Sequence, residues 1–133
     1  MTKVTYGTEM KHCILMVEDD ASLRRVIVQN LASRGHSIRE ASTAAEALDI
    51  LLEEKPDLLL LDINLPDRSG WDVLRALRER GIEVPTIVVS AVRVSSGRLA
   101  EFKPRAYLPK PFPLESLLRL IDHEHGTAEE DGP

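Results

Sequence analysis

Four places in this 133-residue chain put a side chain capable of polar chemistry at the end of a short apolar run. Glu18-Asp19-Asp20 follows Cys13-Ile14-Leu15-Met16-Val17, and Asp62 follows Leu58-Leu59-Leu60-Leu61. Ser90 ends Thr86-Ile87-Val88-Val89, and Lys110 lies just beyond Ala106-Tyr107-Leu108. If these runs are parallel strands of one sheet, their carboxyl ends gather at one edge, in the crevice where open α/β sheets place their sites. Glu18, Asp19 and Asp62 would then share a small volume with a hydroxyl and an ammonium. Carboxylates so close, about −3 in total, cannot all stay ionised without a compensating cation. Mg²⁺ suits them, because it takes oxygen ligands and is commonly held by one or two carboxylates together with phosphate oxygens. With Mg²⁺ and Lys110 present the pocket approaches neutrality. It then accommodates a phosphoryl group on Asp62 as nucleophile, with Ser90 and Lys110 donating hydrogen bonds to its oxygens.

The elements that must position these residues are legible in the hydrophobic periodicity. Strand-like runs at 12–17, 37–41, 58–61, 86–90 and 106–108 alternate with helical patterns. In the first helix, 21–34, Leu23, Val26, Ile27 and Leu31 recur at helical spacing before Gly35, a natural C-terminal stop. In the second, 43–54, Ala44, Ala47, Leu48, Leu51 and Leu52 share one side, and Pro56 closes it. The third spans 71–80 and ends at Gly81, and the fifth spans 114–123. The Leu58–Leu61 run reads as a central strand covered on both faces. Five strand-helix units in one domain-sized chain predict a parallel sheet with right-handed crossovers.

Composition narrows the classes of function. At 43% hydrophobic, 29% charged and only 4% aromatic residues, the chain has the make-up of a single globular domain with an aliphatic interior. A formal charge of −5 supplies no basic field for phosphate backbones, so direct nucleic-acid binding is not expected. No apolar stretch approaches the roughly 20 residues needed to span a bilayer, and the first residues lack a signal-peptide core, so a cytoplasmic location is expected. Cys13 reads as a buried small hydrophobe. His12, His36, His123 and His125 share no ligand spacing, and the last two are expected near a helix end, where cations suit the dipole. Residues 1–10 are expected to form a flexible extension, residues 11–124 the domain, and residues 125–133 an acidic tail or the start of a linker.

Val17-Glu18-Asp19-Asp20, Asp62-Ile63-Asn64-Leu65-Pro66-Asp67-Arg68-Ser69-Gly70, Val89-Ser90-Ala91 and Lys110-Pro111-Phe112 together resemble the motifs of response-regulator receiver domains of two-component signalling. The resemblance covers about residues 11 to 123. It implies a flavodoxin-like (βα)5 fold with strand order 2-1-3-4-5. It implies that Asp62 accepts a phosphoryl group from a histidine kinase or histidine phosphotransfer protein. Mg²⁺ would be bound by Asp19, Asp62 and the Asn64 backbone carbonyl, with Glu18 acting directly or through water. Ser90 and Lys110 would contact the phosphoryl group, Tyr107 would be the switch aromatic coupled to Ser90, and the Lys110–Pro111 bond would be cis. A phosphoacceptor of this kind is not an enzyme in the usual sense. It promotes its own phosphorylation and slow autodephosphorylation, and signals by protein contact as a monomer or weak dimer.

Each residue also has a plainer reading. Asp20 suits an N-terminal helix cap and is assigned that role. Asp62 alone would read as a turn residue, and Lys110 as a solvated lysine. It is the Leu-Pro-x-x-Ser-Gly after Asp62, and the joint order of the motifs, that reverse those odds. Two departures stand out. The interval from Ser90 to Lys110 is shorter than the resemblance implies, and it contains Gly97 and Pro104, so a short or irregular fourth helix is expected. Lys103-Pro104-Arg105 precedes the fifth strand where a glycine-alanine pair is common. Val92, two positions after Ser90, replaces a polar residue that would orient an attacking water. The rival readings are a phosphorylation-independent pseudo-receiver, the receiver part of a longer regulator, and a small phosphatase or flavin-binding domain. A phosphatase would typically want an aspartate where Asn64 stands.

Overall fold

The computed structural model describes the backbone of residues 11–130 and the side chains of residues 11–124. The extension expected at 1–10 and the last residues of the expected tail, 131–133, lie outside the described residues. Ten elements alternate along the chain: β1 (Cys13–Val17), α1 (Ala21–Ser33), β2 (Ser37–Ala41), α2 (Ala44–Glu53), β3 (Leu58–Asp62), α3 (Gly70–Glu79), β4 (Thr86–Ser90), α4 (Ser96–Phe102), β5 (Ala106–Pro109) and α5 (Leu114–Glu130). The strands form one parallel sheet in the order β2-β1-β3-β4-β5. This is the flavodoxin-like arrangement, with the order reversing between β1 and β3.

Strand alternation sorts the core into two layers. Leu15, Val17, Leu59, Leu61 and Val88 face α2 and α3, joined by Ala44, Ala47, Leu51, Trp71, Val73 and Leu77. Ile14, Met16, Leu58, Leu60 and Ile87 face the other way, against Ile27 and Leu31 of α1 and Leu117, Leu118 and Ile121 of α5. Leu58 to Leu61 are each 0% exposed, as a central strand covered on both faces requires.

Local chemistry sets the helix ends. Asp20 caps α1, accepting from the amides of Ser22 at 3.0 Å and Leu23 at 3.2 Å. Thr43, Ser69 and Ser95 cap α2, α3 and α4 in the same way. Gly35 and Gly81 have φ of 94° and 69°, the left-handed conformation that ends α1 and α3. At both ends the two following amides turn back onto the last helical turn, His36 to Leu31 and Gly35 to Ala32, Ile82 to Leu77 and Gly81 to Arg78. The fourth helix is short, as expected: seven residues with none buried. It ends on Lys103, a non-glycine residue at φ 48°, just before Pro104.

Several expectations are corrected. Cys13 is exposed rather than buried. It lies on the same side of β1 as Leu15, but α2 ends before covering it and leaves a notch of about 120 Å³ lined by Cys13, Ile50 and Pro56. Val26 and Leu52 are each 46% exposed, because the apolar stripes of α1 and α2 are wider than the sheet surface they cover. The α5 backbone runs past 123 to Glu130, through Gly126. Alanine and glutamate beyond that glycine are good helix formers, which helps the helix continue. His123 is therefore inside the helix, with Nδ1 2.8 Å from the Arg119 carbonyl oxygen, and not at its end.

Candidate functional site

Three consecutive acids after β1 diverge in role because each points a different way. The Glu18 amide continues the sheet ladder to Ala41 at 3.0 Å, which turns its side chain into the interior, 0% exposed. Glu18 Oε2 accepts from the Asp20 amide at 3.1 Å, and the Glu18 carbonyl accepts from an Arg24 guanidinium nitrogen at 2.6 Å. Arg24 also pairs with Glu40 at 3.0 Å, so α1 and β2 together brace this turn. Asp19 is exposed in the turn, and Asp20 faces the helix it caps.

Asp62 ends β3 and is 2% exposed. Its Oδ1 accepts from the Asn64 amide at 2.9 Å, and its Oδ2 from Lys110 Nζ at 2.9 Å. The same ammonium stands 2.8 Å from Glu18 Oε1, an ion pair in which that buried oxygen makes no well-aligned hydrogen bond. One carboxylate oxygen each from Glu18, Asp19 and Asp62 lies within 4.8 Å of the others. Behind Asp62, the Gly70 amide donates to the Ile63 carbonyl at 2.7 Å, and Asn64 bridges to Ser69. A Cβ at Gly70 would stand 2.7 Å from the Asp62 carbonyl oxygen, so only glycine lets α3 start so close to the strand.

Burial raises the Glu18 carboxyl above the usual carboxylate range, and the nearby Asp62 charge pushes the same way. The adjoining Lys110 ammonium and the hydrogen bond from the Asp20 amide offset only part of this. For Lys110, burial works against the ammonium but is outweighed by Glu18 and Asp62, and its pKa is raised. A single ammonium thus sits locked between two carboxylates without fully compensating the acidic cluster.

Lys110 reaches the pocket because its amide donates to the Ser90 carbonyl at 2.8 Å, extending the β4–β5 register by one step. The following Lys110–Pro111 bond is cis. Ser90 is buried at the end of β4, and its hydroxyl is engaged by the main chain of Val92. It donates to the Val92 carbonyl at 2.7 Å and accepts from the Val92 amide at 3.0 Å. Tyr107 pairs with Val88 across the sheet and, like Val94 and Phe102, packs against the α2–α3 core layer. Among the described residues no hydrogen bond joins it to Ser90. Val92 itself is 60% exposed.

The expected set therefore comes together at one sheet edge, with Glu18, Asp19 and Asp62 clustered and Lys110 paired to Glu18 and Asp62. Ser90 and Asn64 are held beside them through the main chain. Sequence reasoning missed the bracing by Arg24. It also missed Asp67, whose carboxylate accepts from the first two amides of α2, Ala44 at 2.9 Å and Ala45 at 3.0 Å. Arg24 lies six residues from Glu18 and Asp67 more than twenty from Ala44 and Ala45, and nothing in local spacing signals either contact.

The class of protein is a doubly wound parallel α/β domain with three carboxylates and a lysine at the carboxyl edge of its sheet. The model of the response regulator receiver domain matches residues 14–122, and the chain belongs to that family. It is 37% identical over 123 residues to the response regulator MprA of Mycobacterium sp. (strain KMS), covering 90% of this chain and 54% of the relative. The chain thus spans about half the length of the curated relatives it matches. Among solved structures it is similar to a CheY-like response regulator receiver domain protein from Methanospirillum hungatei (TM-score 0.82, 29% identity, 92% of this chain and 99% of that one). It is also similar to the response regulator TrrA from Thermotoga maritima in complex with Mg²⁺-BeF (TM-score 0.75, 27% identity, 86% and 99%). Receiver domains are phosphoacceptors of two-component systems, and phosphorylation and Mg²⁺ binding at an acidic site are features of the family. Among the described residues no helix is long and apolar enough to cross a membrane.

Proposed function

We propose that Asp62 accepts a phosphoryl group from the phosphohistidine of a sensor kinase or phosphotransfer protein, in a Mg²⁺-dependent reaction, and that the domain signals through protein contact. The single observation that supports this best is the clustering of Glu18, Asp19 and Asp62 around a lysine that only partly compensates them. The donor set fits a hard divalent cation, all oxygen, with the buried Glu18 Oε1 lacking an aligned donor. Asp19 and Asp62 would hold the ion with the Asn64 carbonyl, and Glu18 would act directly or through water. When bound, Mg²⁺ supplies positive charge against the phosphoryl oxygens.

An Asp62 carboxylate oxygen attacks phosphorus, the P–N bond to the donor imidazole breaks, and the imidazole leaves with its electron pair and takes up a proton. Lys110 already lies 2.9 Å from Asp62 and is placed to donate to a phosphoryl oxygen. Ser90 must first release the Val92 carbonyl, so its hydroxyl changes partner as the acyl phosphate forms. That exchange, on the strand that pairs with Tyr107, is the means by which the phosphorylated state reaches the surface.

Incubation with Mg²⁺ and phosphorylated histidine donors, followed by intact mass, tests this reading. Wild type should gain one phosphate and Asp62→Asn none, and labelling that survives the substitution would refute the assignment. Val92 offers no side-chain hydrogen bond to an attacking water, so the acyl phosphate is expected to be long-lived. Val92→Glu should shorten its half-life, and an unchanged decay rate would count against that idea.

A further inference from the structure

The loop 63–70 carries Asn64 beside the acidic cluster, and three things hold it. Its base is closed by Gly70 donating to Ile63 and by the Asn64–Ser69 bridge. Leu65 packs against the α2–α3 core layer. The tip is held by Asp67, which grips a different element altogether: Oδ1 takes the Ala44 amide at 2.9 Å and Oδ2 the Ala45 amide at 3.0 Å. These are the first two free amides of α2, and the third, Glu46, is already satisfied by Thr43 Oγ1 at 3.0 Å. Helix α2 thus has its own local cap. The two amides that cap leaves free are bound by a carboxylate from the loop that follows Asp62.

We propose that Asp67 is a positioning residue for the metal site, anchoring the loop to α2 so that the Asn64 carbonyl is held ready at the acidic cluster. This rests on the Mg²⁺ reading given above. A carboxylate bonded to two helix N-terminal amides is favoured by charge as well as by geometry. The Ala44 amide bond holds the Asp67 carboxyl below its ordinary range, more than its slight desolvation raises it. Outer contacts that orient ligands are commonly worth tenfold or more in metal affinity, and a tether one step further out is expected to be worth about threefold to tenfold.

The plainer role, a helix cap alone, is separated by a second variant. Thr43→Ala removes the neighbouring cap on Glu46 without touching the loop. Mg²⁺ affinity and unfolding midpoint would be measured for wild type, Asp67→Asn and Thr43→Ala, using titration of backbone amide NMR signals and urea denaturation. The expected result is a weakened Mg²⁺ affinity in Asp67→Asn with loss of amide protection at one of Ala44 and Ala45, since asparagine keeps a single acceptor oxygen. Thr43→Ala should lose stability but keep wild-type affinity. Asp67→Asn binding Mg²⁺ as tightly as wild type overturns the proposal, as does an equal loss of affinity in Thr43→Ala. A wild type that binds no Mg²⁺ overturns the metal reading itself and this inference with it.

Discussion

The two edges of the sheet bury polar groups on opposite terms. At the carboxyl edge Glu18 and Asp62 are enclosed with their charges only partly compensated by Lys110. At the amino edge His12 and His36 are also buried, yet they stack with ring centroids 5.4 Å apart, and the His12 amide donates to His36 Nδ1 at 3.0 Å. One edge holds groups that gain by binding something more. The other holds two stacked imidazoles, with the His12 amide bond to His36 closing the start of the sheet. Among the described residues the buried carboxylates, Glu18 and Asp62, lie only at the edge where chemistry needs them.

Removing Lys110 should break this comparison most severely. Lys110→Met keeps the apolar stem but leaves two buried carboxylates facing each other, which should destabilise the metal-free protein by about 2 kcal/mol, discounted for the partial exposure of the ammonium. Mg²⁺ should recover part of that loss by binding the folded state. Urea denaturation with and without Mg²⁺ measures both, and an unchanged midpoint would mean that Lys110 does not compensate the acids.

The two glycines that bound α3 sharpen the contrast. Gly70 at the carboxyl edge is needed for space, since an added Cβ would stand 2.7 Å from the Asp62 carbonyl oxygen and 2.9 Å from Ile63 Cα, both main-chain atoms. Gly81 at the amino edge is needed only for its φ of 69°, with nothing within 4 Å of an added Cβ. Gly70→Ala is expected to cost about 2–3 kcal/mol, and Gly81→Ala about 1 kcal/mol. Only the former should also disturb phosphorylation. Equal costs, compared by thermal unfolding, would remove the distinction.

The smallest effect concerns pH. Burial lowers the His36 pKa from its ordinary value of 6.5, and the neighbouring His12, Arg34 and Lys11 push the same way against the opposing charge of Asp122. Protonation of Nδ1 also requires breaking its bond from the His12 amide. In the unfolded chain His36 binds a proton more readily, so its contribution to stability is present above about pH 6.5 and fades as pH falls through the lowered folded value. His36→Gln should flatten that slope in denaturation midpoints between about pH 7 and 5. A slope identical to wild type would show that His36 is not its source.

Much of the fold could be read from the chain because its signals are local. Four consecutive leucines mark the central strand, Gly35 and Gly81 mark helix ends, and Asp20 announces a cap. The same holds for Glu18, Asp19, Asp62 and Lys110, since strand ends in a parallel sheet must converge. Less was legible where coverage decides the outcome. Cys13 sits in an apolar run and is nonetheless exposed, because whether α2 reaches over it depends on helix placement and not on the run itself. Leu52 and Val26 fail in the same way.

The sequence by itself determined the order of the elements, the site they converge on and the short fourth helix, since periodicity, capping chemistry and glycine or proline punctuation act within a few residues. Only the tertiary structure decided which donor each carboxylate meets. Lys110 bridges Glu18 and Asp62, Ser90 turns to Val92, Arg24 braces Glu18, and Asp67 reaches back to Ala44 and Ala45. Apart from the local Ser90 turn and the six-residue step from Glu18 to Arg24, these contacts join residues whose distance along the chain carries no trace of their distance in space.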